Sequence, residues 1–213
     1  MNTNELVTLQ LSKPLIAFAQ PTFVVCPSCH GPAQVDVLSR LTPPPFLNQG
    51  KVVCFRCSFV RVAPSAWFGP MVGYVRQQCG QCGYRQSRHR IKQEHTSQSL
   101  PATIPVTCPA CSHQAARQIE WLRAVSSDSA IDLTFGLPLW LQTNCCNHIL
   151  WAYNKEHILA LKTYIASKQR GQCTRSKWSM ITRLPQWMKS AKHRLAILKG
   201  LDQLDERLHN TIA

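Results

Sequence analysis

Residues 26–29 read Cys-Pro-Ser-Cys, residues 54–57 Cys-Phe-Arg-Cys, residues 79–82 Cys-Gly-Gln-Cys and residues 108–111 Cys-Pro-Ala-Cys. Two residues between cysteines let the backbone turn in a tight knuckle that aims both sulfurs at one point, which is half of a tetrahedral four-thiolate site. The spacing repeats. Cys26 to Cys54 is 28 positions, Cys79 to Cys108 is 29, and Cys26 to Cys79 is 53. The stretch therefore reads as two tandem units, each closing its own metal site. The expected ligands are Cys26, Cys29, Cys54 and Cys57 in the first unit and Cys79, Cys82, Cys108 and Cys111 in the second, with two zinc ions as cofactor.

The composition agrees with small metal-stapled modules. A segment of about 50 residues buries too little apolar surface to fold securely by itself, and a metal commonly makes up the difference. Met1 to Leu11 has neither a basic start nor a sustained apolar run, so no secretory signal is expected. No stretch reaches the roughly 20 apolar residues of a membrane helix. A cytoplasmic, reducing location follows as an expectation, and there paired cysteines serve as metal ligands rather than disulfides. The formal charge of +14 falls to about +10 once eight thiolates and two divalent ions are counted, which still favours polyanionic partners.

The expected division is residues 1–63 as an N-terminal tail and first ribbon, 64–125 as a second ribbon, and 126–213 as a β-hairpin plus a basic helical segment. The fold class is small zinc-stabilised β modules followed by an α+β segment with C-terminal helices. Alternation places strands on both sides of each knuckle: Phe23 into Cys26, Ala33 to Val37, Lys51 to Val53, Phe59 to Val62, then Val72 to Arg76, Tyr84 to Ile91, Ile104 to Val106 and Ala115 to Leu122. Thr42-Pro43-Pro44-Pro45 is a loop, because prolines remove ladder donors. Phe135 to Leu141 and Ile149 to Tyr153 read as two further strands. Asn154 is an N-cap for a helix of about four turns with Ile158, Leu161 and Ile165 on one face. A last helix runs from Ser190 to about His209 with Ile197, Leu201, Leu204 and Leu208 as its apolar stripe, and Gly200 inside it costs about 1 kcal/mol against alanine.

Cys-Pro-x-Cys, an extended hairpin, then Val-x-Cys-x-x-Cys resembles the zinc ribbon of transcription-factor-IIB type with rubredoxin-like knuckles, over roughly residues 23–125. Gly31 and Gly83 fit the glycine such ribbons carry after a knuckle; Ser58 and Ser112 depart from it. The segments Leu-Pro-Leu-Trp-Leu-Gln-Thr, Leu-Trp-Ala-Tyr-Asn and Leu-Pro-Gln-Trp-Met-Lys-Ser-Ala-Lys are similar to uncharacterised bacterial zinc-ribbon proteins. The resemblance implies roles in transcription, replication or translation, or pure assembly.

Enzymatic signatures are absent from the sequence. A thioredoxin-like site wants one pair opening a helix in a βαβ unit, and a catalytic zinc wants an open coordination position. Cys108-Pro-Ala-Cys111 has no His-x-Glu before it, which rejects a deaminase; there is no His-Glu-x-x-His, P-loop or Gly-x-Ser-x-Gly. The cations are unevenly placed: Lys168, Arg170, Arg175, Lys177, Arg183, Lys189, Lys192, Arg194 and Lys199 lie in 32 positions without an acid, with Trp178 and Trp187 interleaved. Cations track phosphates and aromatics stack on bases, so this segment is the expected nucleic-acid contact, DNA ahead of RNA by family analogy. A core role for one of the tryptophans is compatible with it. A second basic group is Arg76, Arg85, Arg88, His89, Arg90 and Lys92. The rival reading is a protein-interaction subunit docked on a larger assembly through its ribbons and last helix. No membrane partner and no small-molecule substrate are expected. Cys145, His148 and Cys173 form a conceivable third metal site, against which buried, reduced cysteines are preferred; an enzyme built on that region is the least favoured class.

Overall fold

The computed structural model describes residues 12–39, 49–63, 67–93, 100–125, 129–167 and 178–212. The chain gathers into two units: Met1–Ser65 with Ala130–Ala213, and Ala66–Ser129. The triple-proline loop lies outside the described residues.

In the first unit, β1 (Thr22–Val25), β2 (Pro32–Ser39), β3 (Gln49–Cys54) and β4 (Val60–Val62) form an antiparallel sheet in chain order. Val24 faces Ala33 and Val35 faces Val52 across the ladders, and all four are buried. The outer edge of β1 is also bonded. Val25 N–H donates to Pro138 O (2.8 Å), Trp140 N–H to Phe23 O (2.9 Å) and Phe23 N–H to Tyr153 O (3.0 Å). These bonds join the four-stranded sheet to residues 130–213, two parts that the sequence reading sets in separate domains and that gather here into one unit.

Phe135 to Leu141 is not a ladder strand. The Asp132 carboxylate accepts the N–H groups of Thr134, Phe135 and Leu137 at 2.7–2.8 Å, which folds the start of that segment into a turn, and its later backbone bonds are divided among β1, Ala130 and Ala152. The alternation was real, because Phe135, Leu137, Leu139 and Leu141 are all buried. The hairpin forms one step later, between β10 (Gln142–Cys145) and β11 (His148–Trp151), closed by Cys146-Asn147 with φ of 52° and 62°. Positive φ at both central residues is the turn whose twist matches paired strands.

Helix α1 (Lys155–Ala166) begins where expected. Asn154 Oδ1 accepts His157 N–H at 3.0 Å, while its Nδ2 donates to Phe18 O and Pro21 O, pinning the N-terminal segment to the helix start. After the short α2 (Gln186–Lys189) and a 3-10 turn comes α3 (Arg194–Ile212). Its stripe Ile197, Leu201, Leu204 and Leu208 is fully inside, against α1 and the β10–β11 hairpin. Gly200 belongs to this packing: a Cβ there would stand 2.8 Å from Leu150 Cδ2, so glycine permits the hairpin's approach and offsets its helix cost. Gly200→Val should destabilise the protein by about 2 kcal/mol through overpacking, measured by denaturant unfolding. A stabilised variant would refute the close contact.

In the second unit β5 (Met71–Gln78) is central, flanked by β6 (Arg85–Gln93) and β9 (Glu120–Arg123), and β7 (Thr103–Thr107) pairs with β8 (Gln114–Gln118). The strand expected from Ala115 to Leu122 breaks at Ile119, so one half pairs with β7 and the other with β5. Among the described residues no helix is long and apolar enough to cross a membrane.

Candidate metal centres and basic surface

The knuckles share their backbone bonding. Cys79 N–H donates to Tyr84 O and Gly83 N–H to Cys79 O; the same pair recurs as Cys108 to His113 with Ser112 to Cys108, and as Cys26 to Gly31 with His30 to Cys26. The residue after the second cysteine is left-handed at His30, Gly83 and Ser112, and only Gly83 is the glycine that position favours. Gly31 serves space instead, since a Cβ there would meet the Arg56 side chain at 2.8 Å.

Sulfurs meet across knuckles, first with second and third with fourth. Cys26 and Cys57 Sγ are 3.8 Å apart and Cys29 and Cys54 3.5 Å; Cys79 and Cys111 are 3.6 Å and Cys82 and Cys108 3.7 Å. All the sulfurs of each tetrad lie within 4.8 Å of one another. A metal–sulfur bond of about 2.3 Å in a tetrahedron gives an edge of about 3.8 Å, so both tetrads fit one four-coordinate ion each. The grouping of these eight cysteines into two clusters, each able to hold a metal ion, is the grouping expected from the sequence.

The tetrads are electrostatically unfinished without a cation. Burial opposes ionisation of Cys54, yet the N–H groups of Arg56 and Cys57, 3.3 and 3.4 Å from its sulfur, bring it down to about 7. The N–H groups of Cys82 and Gln81 bring Cys79 down to about 6. The Phe59 and His113 N–H groups favour the thiolates of Cys57 and Cys111, but desolvation and the neighbouring sulfurs push both up to about 12. A divalent cation at the centre of a tetrad favours the thiolate at every position. The two sites differ in cover: Cys29 is exposed and Cys57 half-buried in the first, while Cys82 and Cys111 are both exposed in the second.

Lys168, Arg170, Arg175, Lys177 and Cys173 fall outside the described residues. Arg183 lays its guanidinium 4.7 Å from the centre of the Trp178 ring, and Trp178 is 69% exposed. Lys189 Nζ donates to Thr182 O at 2.9 Å, Lys192 is exposed on the 3-10 turn, and Arg194 Nη2 donates to Ser167 O at 3.3 Å, tying α3 to the end of α1. Trp187 is half-buried and stacks on His148 with centroids 4.7 Å apart. In the second basic group, Arg90 and Lys92 sit opposite Tyr74 and Val72 and so share one sheet face. Several of the described acids are engaged elsewhere. Asp132 is buried in its turn, Asp36 accepts from Gln34, Glu156 pairs with Lys13, and Asp202 and Asp205 both pair with Lys162.

Two features were missed in the sequence. Cys146 sits with its sulfur 3.8 Å from that of Cys145, a proximity that depends on side-chain torsions the sequence does not carry. His157 is buried among Phe18, Trp151 and Tyr153, and the apolar face of α1 already contained its position. Compared with protein-family models, curated proteins and solved structures, the chain matches none of them. What fold and site define is a class: small antiparallel sheets and C-terminal helices carrying two tetracysteine clusters that could each hold a metal ion.

Proposed function

We propose that this is a zinc-stabilised, non-enzymatic nucleic-acid-binding protein of the cytoplasm, in which both tetracysteine centres are ribbon-type zinc sites that shape the fold. Closed four-thiolate coordination suits zinc and leaves no position for a substrate. The observation that carries nucleic-acid binding is the exposed Trp178 with Arg183 stacked on it, in a stretch that has no acidic residue between Glu156 and Asp202. A stacking platform in a stretch of sequence rich in cations and free of acids is what a sugar–phosphate chain with accessible bases requires. DNA is favoured over RNA by the resemblance of the ribbons.

Replacing Arg175, Lys177, Arg183 and Lys192 together by alanine should lower the slope of log affinity against log salt for duplex DNA by about 3 to 4, weakening all sequences alike. Trp178→Ala should instead weaken single strands by about 1–3 kcal/mol and duplexes little. Unchanged affinity in both variants places the contact elsewhere. The second reading, docking on a protein assembly, is favoured by Leu195, 81% exposed at the start of α3. It takes over if the wild-type chain binds neither form at about 50 mM salt, where electrostatic attraction is strong.

A further inference from the structure

The tip of the β10–β11 hairpin holds two thiols that neither tetracysteine site uses. Cys145 is buried beneath α3, where its Cβ lies 4.0 Å from the position a Cβ on Gly200 would take. Cys146 is half-buried, and the two Sγ atoms are 3.8 Å apart. Cys146 occupies a left-handed turn position with φ of 52°, where asparagine or glycine is the economical residue. Turn formation therefore does not account for a cysteine there.

We propose that Cys145 and Cys146 form a binding site for a two-coordinate thiophilic cation of the copper(I) class. The donor set decides the class. Among the described residues only the two tetracysteine groups bring three or more histidine, cysteine or carboxylate ligand atoms together, so no such side chain there joins these two sulfurs. His148, the cross-strand partner of Cys145, has its ring stacked on Trp187. Zinc wants four ligands and hard cations want oxygen, whereas soft thiolates alone select copper(I). On binding, both thiols lose their protons to solvent and two metal–sulfur bonds form, with no change of oxidation state.

The test titrates the zinc-loaded full chain with copper(I) buffered by a chromophoric chelator, while a zinc dye follows any zinc released. The wild type should take up one copper(I) per chain before zinc appears. Cys146→Asn, whose side chain suits the turn, should lose that first equivalent, keep two zincs and unfold at a higher temperature. Cys145→Ser should lose the same equivalent, and Cys173→Ser should keep it. The proposal is overturned if the first copper displaces zinc from the wild type, if Cys146→Asn binds copper as the wild type does, or if Cys173→Ser abolishes uptake.

Discussion

Cys108→Ser should unfold residues 66–129 and leave the other unit standing. Among the described residues of that stretch, the buried apolar side chains are Val72 and Val75, beside Cys79 and Cys108 themselves. Two valines contribute a few kcal/mol at most, far below the conformational entropy of ordering such a segment. Structural zinc binding is worth about 10–16 kcal/mol in small peptides, more than the whole stability of many domains. Metal loss is thus the loss of the fold there. The first unit stands on a different footing: Phe18, Phe135, Leu141, Leu161, Ile165 and Ile197 are all fully buried independently of sulfur. Hydrogen exchange should show protection vanishing across 66–129 and persisting across α1 and α3, with zinc content falling from two to one per chain. Retained protection in β5 would sink the idea, and so would a zinc count of two. In Cys54→Ser the expected pattern is reversed and milder: fraying confined to β3, β4 and the first two knuckles.

The second large effect is acid sensitivity set by one histidine. His157 is buried, and burial alone pulls its pKa down from 6.5 to about 3. Its Nδ1 accepts the Tyr153 N–H at 3.2 Å, a bond available only to the neutral ring. The unfolded chain therefore takes up the proton first. Stability is complete above about pH 6.5 and declines by about 1.4 kcal/mol per pH unit as pH falls towards 3, on the order of 5 kcal/mol in all. His157→Phe should be less stable at neutral pH by about 1–3 kcal/mol, because the Tyr153 N–H loses its acceptor, and should lack this part of the acid limb. Both chains also surrender metal in acid, so the informative quantity is their difference. The two stability curves should cross near about pH 5; parallel curves would show that His157 is solvated in the native state.

The two cysteine clusters were legible because two-residue spacing is a local property of the chain, unaffected by what packs later. The α1 cap at Asn154 and the α3 stripe were legible for the same reason. Gly200 was misjudged: the sequence shows only its helix cost, while its benefit lies in a contact with Leu150, 50 positions away. The strand from Phe135 was misplaced because periodicity reports burial, and Phe135 to Leu141 is buried without a ladder of its own. Trp187 and Trp178 could not be separated by composition; one found His148 and the other faces solvent.

The bonds along the outer edge of β1 have a consequence for synthesis. Cys26 to Cys57 can close their site as soon as they leave the ribosome, but Pro138, Trp140 and Tyr153 emerge more than a hundred residues after Phe23 and Val25. At about 5–20 residues per second, that is roughly 6 to 25 s in which a nascent strand carrying Phe23 and Val24 has an unpaired side. Such an edge is a template for another strand. The three prolines at 43–45 and the whole second unit are translated during this interval, and a chaperone that shields extended apolar segments would act on β1 then, before the hairpin and helices arrive to cover it.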